Sequence, residues 1–128
     1  MYETGTIRTV RAFHVMPGVE GPEGERHAHD YRVEVVVGCA ELDERAMGID
    51  LDVLDAALRK ALSDVQEADL DERIRPAGAE AVTVEVFARW IFDQLAEAAR
   101  AAGGQTLAVR VWESPTAFGG YHAALRSA

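Results

Sequence analysis

The sequence predicts an α+β domain: a four-stranded antiparallel sheet with two helices packed on one face, in the order ββααββ. Three observations predict it. Stretches of alternating apolar and polar residues occur in pairs near the two ends of the chain. Two stretches of helical period lie between them. Glycine, proline or acidic runs separate the segments.

Thr6 to His14 forms the first strand, with Ile7, Thr9, Arg11 and Phe13 on one face and Arg8, Val10, Ala12 and His14 on the other. Pro17, Gly18, Gly21, Pro22 and Gly24 mark a loop. The second strand runs from about His29 to Ala40, headed by His27. Asp43 to Gly48 is a turn. Ile49 to about Val65 reads as a helix, because Leu51, Leu54, Leu58 and Leu62 recur three and four residues apart; Asp50 or Asp52 suits its start. Glu67 to Ala81 is polar, carries Pro76 and Gly78, and reads as an irregular connection. Thr83 is the expected N-cap of a second helix, whose stripe is Phe87, Ile91 and Leu95. Ala101-Ala102-Gly103-Gly104 ends it. Thr106 to Glu113 is the third strand and Phe118 to Leu125 the fourth. The edge strands of so small a sheet need cover, and association through them is one solution.

The 128 residues correspond to one domain, residues 1–128, long enough to bury a core. Hydrophobic residues make up 48% and charged residues 27%, as in a water-soluble globular protein. No apolar run approaches a membrane span, so no membrane partner is expected. The start, Met-Tyr-Glu-Thr-Gly, has neither a basic flank nor an apolar stretch, and a cytoplasmic location is expected. Cys39 has no cysteine to pair with and reads as a core residue. A net charge of −9 argues against a nucleic-acid partner. It leaves open a small anionic substrate, because charge within a cleft can oppose the global balance.

His27 and His29 flank one alanine at the head of the second strand. Residues two apart on a strand share a face, so both imidazoles can reach one ion. A catalytic zinc typically takes three protein ligands and keeps one position open. His14 ends the first strand, and an antiparallel hairpin brings it beside His27 and His29. The competing reading is a set of solvated or hydrogen-bonded histidines; the placement of His14 favours the metal. His122 reads as structural or surface.

These segments resemble the 6-pyruvoyltetrahydropterin synthase and 6-carboxytetrahydropterin synthase family over nearly the whole chain. The family's aromatic-small-x-His segment is loosely matched by Val10-Arg11-Ala12-Phe13-His14. Its His-Gly-His and aromatic strand start appear as His27-Ala28-His29-Asp30-Tyr31. Its first-helix entry appears as Met47-Gly48-Ile49-Asp50-Leu51, its Leu-Asp-His as Leu70-Asp71-Glu72, and its Pro-Thr-x-Glu as Val82-Thr83-Val84-Glu85. Its final Glu-Ser is Glu113-Ser114.

The resemblance implies the tunnelling fold, whose subunits join edge to edge into a homo-oligomer, a trimer or a dimer of trimers. It implies zinc on His14, His27 and His29, and a pterin substrate. Glu113 maps onto the family's pterin anchor; a carboxylate can accept from both the 2-amino group and a ring N–H. Thr83, at the helix start, is implied as a second substrate-binding residue.

Two departures fall on the machinery that moves protons. The family's cysteine, four residues before the HxH, is here Glu23. The family's Asp-His pair is here Asp71-Glu72. The resemblance makes Glu23, Asp71 and Glu72 the catalytic candidates, with Glu25 a substitute for Glu23 in the same loop. A family branch that carries glutamate in place of the cysteine cleaves the side chain to leave a hydroxymethyl group. The competing reading of these acids is a set of ordinary loop carboxylates in an acidic protein.

The expected function is thus a zinc-dependent lyase acting on 7,8-dihydroneopterin triphosphate, with carboxylates replacing Cys and His. The alternative is a diverged enzyme of the same fold, or a non-catalytic protein, binding another pterin or purine-like ligand. Arg8, Arg11, Arg26 and Arg32 lie around the metal-bearing strands and are candidates to meet a triphosphate, or else simply offset nearby acids.

Overall fold

Strands β1 (Tyr2–His14) and β2 (His27–Cys39) form one long antiparallel hairpin in the computed structural model of the chain, which describes residues 1–126. The register runs from Tyr2 opposite Cys39 to His14 opposite His27. β1 therefore starts earlier than the alternation from Thr6 predicts. Tyr2 to Gly5 has little strand pattern of its own; pairing with Val36 to Cys39 recruits it.

Helix α1 (Leu51–Ser63) follows, capped by Asp50, whose side chain accepts from the N–H groups of Asp52 and Val53. A one-turn helix, α2 (Leu70–Arg73), lies where the sequence predicts an irregular connection, so the order is ββαααββ. Asp69 caps it, accepting from Asp71 and Glu72, and Leu70 anchors it with no exposed surface. A single apolar residue in one turn leaves no period to read. Helix α3 (Val84–Ala101) begins at the expected cap, Thr83, and ends in a Schellman arrangement: Gly104 N–H donates to the Ala99 carbonyl at 2.9 Å and Gly103 N–H to that of Arg100 at 3.1 Å. Gly103 has φ of 103°, which favours glycine there.

Strands β3 (Thr106–Ser114) and β4 (Ala117–Ala124) complete an antiparallel sheet of order β1-β2-β3-β4. The α+β architecture agrees with the sequence expectation. The inward face carries Val10, Tyr31, Val33, Val35, Leu107 and Val109, all at 1% exposure or less. Leu54 and Leu58 of α1 and Phe87, Ile91 and Leu95 of α3 close over it. Each such side chain stabilises the fold by about 1.5–3 kcal/mol through burial. Cys39 is a buried free thiol. Arg8 clamps Asp55 of α1 through two bonds of 2.7 Å, tying β1 to that helix.

Two contacts position the site. Glu67 N–H donates to the Arg11 carbonyl at 2.6 Å and Phe13 N–H to that of Ala68 at 2.9 Å. The segment leading into α2 is thereby sewn to the outer edge of β1, just before His14.

Candidate metal centre

The hairpin register puts His14 directly opposite His27, and His29 lies two residues on, on the same inward face. The ring centroids are 4.4 Å apart for His14–His27, 4.8 Å for His27–His29 and 5.2 Å for His14–His29. His14 is 3% exposed, the one buried polar side chain among the described residues.

Backbone carbonyls orient two of the three rings. His14 Nδ1 lies 3.2 Å from the Val82 carbonyl and His27 Nδ1 2.7 Å from that of Glu25. A carbonyl only accepts, so both rings carry the proton on Nδ1 and turn the Nε2 lone pair inward. His14 Nε2 is buried and has no hydrogen-bond partner. His27 Nε2 stands 3.1 Å from His29 Nε2. Two nitrogens on a tetrahedral zinc, each at 2.0–2.1 Å, lie roughly 3.3 Å apart, so this pair already has nearly the required spacing. The donor set, the orphaned Nε2 and the fixed tautomers fit zinc.

Burial, more than the neighbouring His27 charge, lowers the pKa of His14 below the ordinary histidine value; the Val82 carbonyl opposes this. His14 is thus held neutral, the form that binds metal.

Glu23 joins the group. Its Oε2 lies 3.2 Å from His27 Nε2, and one ligand atom from each of His14, Glu23, His27 and His29 falls within 4.8 Å of all the others. A 3-10 turn, Pro22–Gly24, carries it there; Met16 N–H donates to the Glu23 carbonyl at 2.9 Å and folds the loop back. Glu25 contributes its carbonyl, while its side chain is exposed.

The other candidates fall into two groups. Asp71 is half-buried beside the histidines, with Oδ1 accepting from Val82 N–H at 2.8 Å and Oδ2 from Val15 N–H at 2.9 Å. Glu72 is exposed on α2 and its carboxylate makes no hydrogen bond or ion pair among the described residues. Thr83 Oγ1 accepts from Val86 N–H at 3.2 Å as the cap of α3. Glu113, near the end of β3, lines an open cleft of about 480 Å³ together with His29, Arg32 and Trp112. That volume suits a small ring ligand.

Tyr31 and the carbonyls of Val82 and Glu25 also belong to the site; Tyr31 and Val82 lie inside quoted motifs, but no motif assigns any of the three a part in it. The Tyr31 ring lies 5.3 Å from His29 and 5.2 Å from Phe87. Burial, then the charges of Glu113, Asp71 and Glu23, push its hydroxyl pKa up, so the hydroxyl stays neutral. Its sequence signals are its place two residues after His29 and its match to the aromatic strand start of the HxH segment.

The four arginines each face a carboxylate. Arg8 holds Asp55, Arg26 lies 3.3 Å from Asp69, Arg32 3.7 Å from Glu34, and Arg11 3.7 Å from Asp30.

A family model described as 6-pyruvoyl tetrahydropterin synthase matches residues 6–124. The chain belongs to that family. Membership makes it a tetrahydropterin synthase-like lyase. The solved 6-pyruvoyl tetrahydropterin synthase of Caenorhabditis elegans shares 19% identity at a TM-score of 0.76, over 95% of each chain. That of Plasmodium falciparum shares 14% at 0.75, over 96% of this chain and 98% of the other. The Plasmodium vivax enzyme was solved with a glutamate, described as a catalytic residue, changed to alanine; it shares 14% at 0.69, over 97% and 99%. Likeness at these identities establishes the tunnelling fold. No curated protein matches the chain in sequence. No helix among the described residues is long and apolar enough to cross a membrane.

Proposed function

We propose that this family member is a zinc-dependent lyase acting on 7,8-dihydroneopterin triphosphate, with His14, His27 and His29 as the zinc ligands. The observation that carries the reading is the buried, unpartnered His14 Nε2 facing two further imidazoles. Bound there, zinc would polarise the oxygens of the substrate side chain.

The chain's own groups supply the rest. Glu23, beside His27, acts as the base: it takes a proton from the substrate side chain, and the electron pair left behind drives off the triphosphate or a side-chain carbonyl fragment. A glutamate is also the residue described as catalytic in the P. vivax relative. Glu113 accepts from the 2-amino group and ring N–H of the pterin, and the cleft it shares with His29 sets the ring beside the ligands. Thr83 contributes to the pterin end through the start of α3. Glu72 is the exposed acid available for proton exchange with water. Trimers, or dimers of trimers, form through the outer edge of β4 and the stretch of the β1 edge before Arg11, which the α2 segment leaves uncovered, and complete the site between cytoplasmic subunits.

One observation favours a second reading. Arg8, Arg11, Arg26 and Arg32 are each engaged by an acid. A diverged member acting on a pterin or purine-like ring without a triphosphate would need none of them.

The test is direct. Zinc-loaded protein is incubated with 7,8-dihydroneopterin triphosphate and the products are weighed. A pyruvoyl, carboxy or hydroxymethyl pterin is expected. Zinc with no turnover of this substrate moves the assignment to the second reading.

A further inference from the structure

We propose that Asp71 is a positioning residue of the metal centre, which fixes the His14 imidazole by bracketing the two backbone segments that hold it. The proposal rests on the reading of His14, His27 and His29 as zinc ligands.

The geometry is a closed bracket. Asp71 Oδ2 accepts from the N–H of Val15, the residue that follows His14. Asp71 Oδ1 accepts from the N–H of Val82, the residue whose carbonyl pairs with His14 Nδ1. One carboxylate therefore fixes both the main chain that carries the ring and the carbonyl that orients it. Bonds from N–H to an ionised acceptor are about twice as strong as neutral ones.

The platform beneath Asp71 is itself locked. Asp69 Oδ1 accepts from Asp71 N–H at 3.0 Å, and Leu70 is fully buried. Glu67 and Ala68 are bonded to the edge of β1 on either side of Ala12. The carboxylate cannot drift relative to His14 without breaking that edge.

The same geometry separates this role from proton transfer. Each oxygen already accepts a main-chain N–H at 2.8 or 2.9 Å. Asparagine would turn its amide N–H2 against one of these donors. The position calls for an acceptor on both oxygens for geometry alone, and the residue that follows it is Glu72.

The test is a zinc competition titration, using a chelating indicator, of wild-type, Asp71→Asn and Asp71→Glu protein. The Co2+ absorption spectrum is recorded on each, and circular dichroism establishes that each variant is folded. Both variants should bind zinc about 10- to 100-fold more weakly, the usual effect of losing a group that orients a ligand, and the Co2+ bands should shift. The longer glutamate keeps the charge but cannot match both N–H groups, so it carries the same expectation if Asp71→Asn does not fold. A folded variant with wild-type zinc affinity overturns the proposal. If that variant also loses turnover, Asp71 is a proton-transfer group. If only its metal-free unfolding temperature falls, Asp71 is scaffold. Wild-type protein that binds no zinc instead overturns the metal reading on which the proposal stands.

Discussion

His14 and His27 face each other as the last pair of the β1–β2 ladder, with ring centroids 4.4 Å apart. Because one ring is buried and turned by Val82 and the other is turned by Glu25, two lone pairs meet at a point fixed by backbone.

Removing the buried member of that pair should abolish tight metal binding. His14→Ala is expected to lower zinc affinity by more than about 100-fold, beyond the usual effect of losing a mere orienting group. Chelator competition measures it. Wild-type affinity in this variant would take His14 out of the ligand set.

Glu23 should separate binding from turnover. Glu23→Gln is expected to lower kcat by about 10²- to 10⁴-fold, the usual contribution of a general base, with zinc content unchanged. Steady-state kinetics on the proposed substrate, with metal analysis of the same sample, check both halves. An unaltered rate would remove Glu23 from the mechanism.

Glu113 should act on the other end of the ligand. Losing two hydrogen bonds to a carboxylate, each contributing about 1.5–3 kcal/mol, should weaken pterin binding by about 100-fold or more in Glu113→Ala. The Kd for a pterin, read by fluorescence, reports this. Zinc content should not change.

Metal-free protein should lose stability in mild acid. The folded-state pKa of His14 lies below its unfolded value of about 6.5, so the unfolded chain binds the proton more readily. Stability is then flat above that pH and falls as the pH drops through the window down to the folded value. Urea unfolding of chelator-treated protein at pH 7.5 and 5.0 tests this sign. His14→Gln should lessen the difference.

Much of this was legible in the residues, for physical reasons. The HxH spacing fixes one face of a strand, and a hairpin fixes where His14 must land. Leu54, Leu58, Phe87, Ile91 and Leu95 announce their helices by period, and all five are buried. Helix α2 left no such trace, because its stability comes from the Asp69 cap and one buried leucine. The carbonyls of Val82 and Glu25 were illegible for a different reason. Every residue has a carbonyl, and only the folded chain decides which of them meets an imidazole. Asp71 was visible as an acid, but its two N–H partners lie far from it in sequence and appear only once β1, α2 and α3 are assembled.

The most direct measurement is the metal content of protein purified without chelators, by elemental mass spectrometry, for wild type and for the variant carrying His14→Ala, His27→Ala and His29→Ala. One zinc per chain is expected in the wild type and none in the variant. A metal-free wild type, or a variant that keeps its zinc, would contradict the zinc assignment.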